Sequence, residues 1–215
     1  MKAKKAIALT LVAVLLVAGS VMGTIAWLTD KTDEVKNVFT DSDINITLTE
    51  TTEVYKMIPG WEIDKNPVVT VEAGSEDCWV FIKVVESGGD VTLTEGEEEV
   101  LYSFDDFIKY AIDKNWTALI DEDNDGFADD GVYYCKVTNV ENPRKIKVLG
   151  YYDNGGNFIN NKVLVKDTVT KAMMNEVRNQ EGKEPTLTFT AYATQMWKSN
   201  DVAFTPEEAW KNIGA

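Results

Sequence analysis

The sequence predicts a mainly β fold, a β-sandwich carrying one or two short helices behind an apolar N-terminal segment. Three observations point there. Apolar and polar residues alternate through Ile44–Thr49 and again through Leu187–Thr194, the period of a strand with one buried face. The run Cys78–Val85 is apolar on nearly both faces, as suits a central strand covered from two sides. Turn-rich stretches such as Asp153–Asn157 separate these short runs, and helical patterns are few.

The chain begins with Lys2, Lys4 and Lys5, followed by an uncharged apolar run from Ala6 to Met22. Gly23, Thr24, Ile25 and Ala26 then lead at once into a polar stretch opened by Trp27, Leu28, Thr29 and Asp30. Charge, apolar core and small residues before a polar segment form the layout of a secretory signal peptide, with the lysines held on the cytoplasmic side. The expectation is a signal-peptide helix over residues 1–26, cleaved by a signal peptidase between Ala26 and Trp27. The competing reading is a permanent anchor, because Ala6–Leu28 spans 23 residues and a bilayer core of about 30 Å needs about 20. Gly19 and Gly23 interrupt the run near its end and favour cleavage. Residues 27–40 then form an N-terminal segment, and 41–215 the β-sandwich domain.

Within that domain the elements follow in order. Ile44, Ile46 and Leu48 share one face of a first strand. Cys78–Val85 is the buried central strand, and Ser87–Glu99, rich in glycine, serine and acids, reads as an exposed hairpin region. Strands around Trp116–Leu119 and over Val132–Val137 flank an acidic loop, and Val163–Val165 follows the Asp153–Asn157 turn. Thr168–Arg178 lacks glycine and proline and carries Ala172, Met173, Met174 and Val177, a helical pattern. Leu187, Phe189, Ala191 and Ala193 line one face of a further strand. Thr205, Pro206 and Glu208 supply a capping threonine, a proline at the first helical position and a glutamate at the third, so a short C-terminal helix starts there.

Composition bounds the function. The chain holds 21 basic and 36 acidic residues; without residues 1–26, which contain three lysines and no acid, the balance is 18 against 36, a charge of −18. Such a surface repels nucleic-acid phosphates and anionic lipid, so no nucleic acid is expected as partner, and contact with a membrane is expected only through the uncleaved leader. The chain has no histidine. That excludes an HExxH zinc site, a Ser-His-Asp triad and a Cys-His pair. A hydrolase built on two carboxylates stays open, but 36 acids make chance pairs inevitable, and the expectation is a protein that is not an enzyme.

Two features carry chemistry. Cys78 and Cys135 lie 57 residues apart in two predicted strands of an exported chain. Read as a disulfide, the pair would contribute about 3–4 kcal/mol in the chain-entropy model; read as two buried thiols, they are small hydrophobes. The stretch Asp121–Asp129 matches the opening of a calcium loop, with Asp121, Asp123 and Asp125 at alternate positions, Gly126 at the sixth, the Phe127 carbonyl at the seventh and Asp129 at the ninth. Val132 stands at the twelfth, where a bidentate glutamate closes the site, so Asp130 or water would have to complete the shell. Weak Ca2+ binding is the expectation, and an acidic solvated turn is the alternative. The six tryptophans and eight tyrosines are scattered along the chain, which favours packing over a stacking surface for sugars.

A resemblance runs through much of the chain. The leader from Gly23 to Asp30, Asn37–Thr40, Ile44–Leu48, Met57–Ile63, Asp77–Val84 and Phe189–Gln195 together resemble the TasA/camelysin family, whose leaders are processed by the dedicated signal peptidase SipW in Gram-positive bacteria. The resemblance implies a jelly roll and a secreted structural subunit of a biofilm matrix or cell surface. It implies self-association into fibres by strand addition, with Trp27–Phe39 as the donated strand. The metalloprotease label attached to some members does not carry over to a chain without histidine. Two other readings remain beside it: a monomeric cell-surface module binding a glycan or protein, and a carboxylate-based hydrolase.

Overall fold

The computed structural model of the chain describes residues 43–51 and 56–214. The expected signal peptide over 1–26, the cleavage point at Ala26 and Trp27 and the expected donor segment lie outside the described residues. Among those described, no helix is long and apolar enough to cross a membrane.

The described chain is mainly β, arranged in several antiparallel sheets with three short helices. In chain order it begins with β1 (Ile46–Thr49), β2 (Glu62–Asp64), β3 (Val68–Val71), β4 (Cys78–Ser87), β5 (Val91–Glu95) and β6 (Glu98–Tyr102). Helix α1 (Phe104–Phe107) and the short β7 (Ile108–Lys109), β8 (Ala111–Ile112) and β9 (Thr117–Ala118) come next. Then follow β10 (Val132–Val137), β11 (Arg144–Lys147), β12 (Leu149–Tyr152), β13 (Phe158–Asn160) and β14 (Lys162–Val165). Helix α2 (Lys171–Asn179), β15 (Thr186–Gln195), β16 (Trp197–Ser199), β17 (Val202–Ala203) and helix α3 (Pro206–Ile213) complete it.

A four-stranded sheet in the order β15-β4-β10-β9 organises the molecule. The apolar run beginning at Cys78 becomes its central strand, as its two-faced pattern requires. Cys78, Val80, Ile82 and Val84 point to one side with Tyr133, Cys135 and Val137, and form the larger core with Val69, Val71 and Ile146 of the β1-β3-β11 sheet. Phe81 and Trp79 point to the other side, where Ala209, Trp210 and Ile213 of α3 cover them. Phe81 is wholly buried, and its ring centroid lies 5.2 Å from that of Trp210. Burying one such side chain contributes about 1.5–3 kcal/mol, so the C-terminal helix is fastened chiefly by its aromatic face.

The helix ends obey their sequence signals. Thr205 Oγ1 accepts from the Glu208 N–H at 3.3 Å while the Thr205 N–H donates to Glu208 Oε2 at 2.9 Å, a reciprocal cap with Pro206 in the first turn. Thr170 caps α2 by accepting from the Met173 N–H at 3.2 Å. The Ser87–Glu99 region does hold a hairpin, β5–β6, but Val91 is buried to 1% exposure within the larger core, so only part of it is surface. The one-turn helix α1 was not foreseen; its two apolar residues, Phe104 and Phe107, are both buried.

Candidate metal loop and adjoining cleft

The acidic stretch is the long connection between β9 and β10. Its base is closed by the sheet itself: Tyr133 and Tyr134 pair with Ala118 and Thr117, and the Leu119 N–H donates to the Val132 carbonyl at 2.8 Å. Inside this frame the chain folds back on its own carboxylates. The Asp125 N–H donates to Asp121 Oδ1 at 3.1 Å, and the Phe127 N–H to Asp125 Oδ1 at 2.7 Å. Gly126 takes a φ of +87°, the left-handed turn that the sixth position of a calcium loop requires.

These turns bring Asp121, Asp123 and Asp125 together, with one oxygen from each within 4.8 Å of the others. Asp123 and Asp125 are exposed and Asp121 is half-buried. Asp129 serves the loop differently: its Oδ2 accepts from the Glu122 N–H at 2.9 Å, tying the end of the loop to its start. Asp130 Oδ1 accepts from the Val132 N–H at 3.0 Å, which fixes the first residue of β10. Three converging carboxylates fit a hard divalent cation that keeps part of its water shell.

Gly131 locks the loop to β4. The Val84 N–H donates to the Gly131 carbonyl at 2.8 Å, and Gly131 has a φ of +69°. A Cβ at this position would lie 2.5 Å from the Val84 carbonyl oxygen, so only glycine permits the approach.

A cleft of about 430 Å³ opens beside the loop, lined by Asp125 and Phe127 of the loop, Tyr133 of β10, Glu86 of β4, Asp105 of α1 and Tyr110. The Tyr110 hydroxyl donates to Glu86 Oε1 at 2.5 Å. Partial burial raises the Glu86 carboxyl above its ordinary range, against the lowering effect of the Tyr110 hydrogen bond and helped by the nearby Asp105 charge. Burial first, and then Glu86, push the Tyr110 hydroxyl far up. The Phe127 ring meets the Tyr110 ring edge-on at 6.0 Å, an aromatic contact between the loop and the link that carries Tyr110. Glu86, Asp105 and Tyr110 carry no mark in the sequence, because they come from the end of β4, from α1 and from a link between two short strands.

Cys78 and Cys135 are both free and buried. The register sets Cys78 opposite Val137 and Cys135 opposite Val80, so the two thiols are diagonal neighbours on the inner face of the sheet. Diagonal positions are about 7–8 Å apart, at or beyond the reach of a disulfide, which favours directly opposed residues. Burial pushes the Cys78 thiol up to about 11 and the Cys135 thiol up to about 12, and both behave as core residues.

Comparison with known proteins gives no matching family model, no matching curated protein and no matching solved structure.

Proposed function

We propose that this protein is an exported structural subunit of an extracellular matrix or cell surface that associates with its own copies by strand addition, and is not an enzyme. In this reading the leader ends at Ala26, the mature chain begins at Trp27, and Trp27–Phe39 pairs with a sheet edge of the next subunit. A jelly roll is the finer form of the fold that goes with it. The reading rests on the leader and on the TasA/camelysin-like residues that run through the chain.

The observation that supports it best is the outer edge of β15. Among the described residues β15 pairs only with β4, in unbroken register over ten residues from Thr186↔Ser87 to Gln195↔Cys78. No other described edge strand exceeds five residues. A long free edge is a template for another strand, and monomeric proteins blunt such edges with charges, proline or bulges. The edge strand β11 follows that rule with Arg144, Lys145 and Lys147. β15, of sequence TLTFTAYATQ, has no charge, no proline and no break in register. Its inward residues Leu187 and Phe189 remain half-buried and line cavities of about 340 and 450 Å³. An added strand would gain backbone hydrogen bonds along β15 and place alternate apolar side chains over these gaps.

Calcium belongs to the same proposal as a stabiliser of the subunit, held by Asp121, Asp123 and Asp125, with the Phe127 carbonyl and Asp129 as the remaining motif positions. Electron microscopy of the form beginning at Trp27 is the test. It is expected to form fibres, whereas a chain starting after Phe39, and a Thr188→Lys variant that puts a charge on the β15 edge, are expected to fold and stay unassembled. Equal fibre formation by all three would remove strand addition at β15 as the mechanism.

A further inference from the structure

The hairpin β16–β17 carries a second surface, which meets the β15 edge only at Gln195. Gln195, Trp197, Lys198, Ser199, Asn200 and Asp201 line an open cleft of about 510 Å³. The pairing of β16 with β17 shifts register between Trp197 and Ser199, so the cleft gathers consecutive residues of the hairpin rather than one face of a strand. Lys198 Nζ pairs with Glu208 of α3 at 2.5 Å and sits 5.2 Å from the centroid of the Phe204 ring.

Trp197 is 43% exposed, and its cross-strand partner is the small Ala203. Its indole N–H has no hydrogen-bond partner among the described residues. The indoles of Trp79 and Trp116, by contrast, donate to the Phe204 carbonyl at 3.0 Å and the Lys147 carbonyl at 2.8 Å. Packing and hydrogen bonding hold those two tryptophans; among the described residues Trp197 and Trp61 are the exposed ones, and of the two Trp197 is the one that lines a cleft with polar side chains beside it. The hairpin beneath it is nonetheless held firmly. Met196 is wholly buried, its N–H donates to the Asp77 carbonyl at 3.1 Å, and its carbonyl accepts from the Phe204 N–H at 2.8 Å.

We propose that this cleft is a binding subsite for neutral, pyranose-based glycans. A sugar ring has an apolar C–H face, which a flat exposed indole can cover, and a rim of hydroxyls, which bond to short polar side chains. The cleft supplies one aromatic platform, with Gln195, Ser199, Asn200 and Asp201 beside it as donors and acceptors. No lining residue other than Trp197 is apolar, so an apolar peptide finds no second anchor here. The only basic lining residue is engaged by Glu208, and Asp201 is acidic in a chain of net charge −15, so polyanionic glycans are disfavoured. A platform fixed before binding loses little conformational freedom when it takes a ligand. A matrix subunit with such a subsite would hold polysaccharide along its length.

The test is isothermal titration of the full-length chain, kept in a detergent without a sugar headgroup, with cellohexaose, chitohexaose and polygalacturonate. Saturable binding of a neutral oligomer is expected, weakened about tenfold or more by Trp197→Ala and less by Trp197→Phe, with unchanged melting curves. If Trp197→Ala lowers the melting temperature, Gln195→Ala, at the rim of the cleft, must still weaken binding. Failure of both neutral oligomers to bind, binding of polygalacturonate alone, or equal binding by the wild type and these variants would overturn the assignment. None of these outcomes depends on whether fibres form.

Discussion

Replacing Gly131 by alanine separates two effects that the acidic loop combines. At φ +69° an alanine pays for the left-handed conformation, about 1–2 kcal/mol. Its Cβ would also lie 2.5 Å from the Val84 carbonyl oxygen. Neither backbone can yield without loosening the 2.8 Å hydrogen bond from Val84 N–H to the Gly131 carbonyl, so relief of that overlap costs about 1–3 kcal/mol more. The sum is about 2–5 kcal/mol. For a domain of this size each kilocalorie lowers the melting temperature by about 2–4 °C, which gives a drop of about 4–20 °C. Gly126 is the control: its φ is +87°, but a Cβ there meets nothing within 4 Å, so Gly126→Ala carries only the conformational cost and a drop of about 2–8 °C. Thermal and urea unfolding followed by circular dichroism, in chelator, measures both. Equal losses in the two variants would refute the claim that contact with β4, and not φ alone, demands glycine at 131.

Calcium at about 1 mM should raise the melting temperature, since a ligand held only by the folded state stabilises it, and Asp123→Ala with Asp125→Ala should abolish the shift; calorimetry that detects no calcium effect on the wild type would leave the loop an acidic turn. The raised Glu86 carboxyl binds its proton more tightly in the folded than in the unfolded chain, so this group favours folding increasingly as pH falls from its folded value towards the ordinary 4.5. Glu86→Gln should therefore lose that acid-side gain, which a comparison of unfolding midpoints between pH 7 and pH 4.5 would reveal. Cys78 and Cys135 should resist thiol reagents in the native chain and titrate as two thiols once it is denatured without reductant; no thiol under those conditions would mean that they are bridged. Trp210→Ala should remove about 2–3 kcal/mol by stripping the contacts of α3 with Phe81 and Tyr192, read by urea unfolding.

Elements whose pattern is set by their own residues could be read in advance. The two-faced run at β4, the alternation in β1 and β15, and the Thr205-Pro206-Glu207-Glu208 cap each encode burial or hydrogen bonding within a few positions. The acidic loop was legible for the same reason, since Asp121, Asp123, Asp125 and Gly126 are neighbours in sequence and the turn that gathers them is local. What could not be read depends on distant pairing. The diagonal offset of the cysteines follows from the register of β10 on β4, fixed by the whole inner face of the sheet. The Glu86–Tyr110 contact joins residues 24 positions apart that share no periodic signal. Phe104–Phe107 is too short for helical periodicity to show, and its two buried rings decide its place. Trp197 stands in no periodic pattern, and its 43% exposure follows from its place on the β16–β17 hairpin.

Among the described residues the four-stranded sheet is covered on its face by α3 and unpaired along β15, and these are different physical problems. Phe81, Trp79 and Tyr192 would leave a broad aromatic surface if uncovered, and α3 lies over them with Ala209, Trp210 and Ile213. A helix removes apolar area from water but offers nothing to the unpaired backbone groups along β15, because helical N–H and C=O groups bond within the helix. Within protein, an extended segment is what pairs with such an edge in place of water. A chain meant to remain alone would be expected to spoil the edge locally, as Arg144, Lys145 and Lys147 do on β11, and a single lysine among the outward threonines of β15 would do so at little loss of packing. Among the described residues the face is thus covered while the β15 edge is unpaired. Under the proposed strand addition that combination would favour ordered, directional growth over amorphous clustering, because backbone pairing fixes register and the pleat admits only alternate side chains.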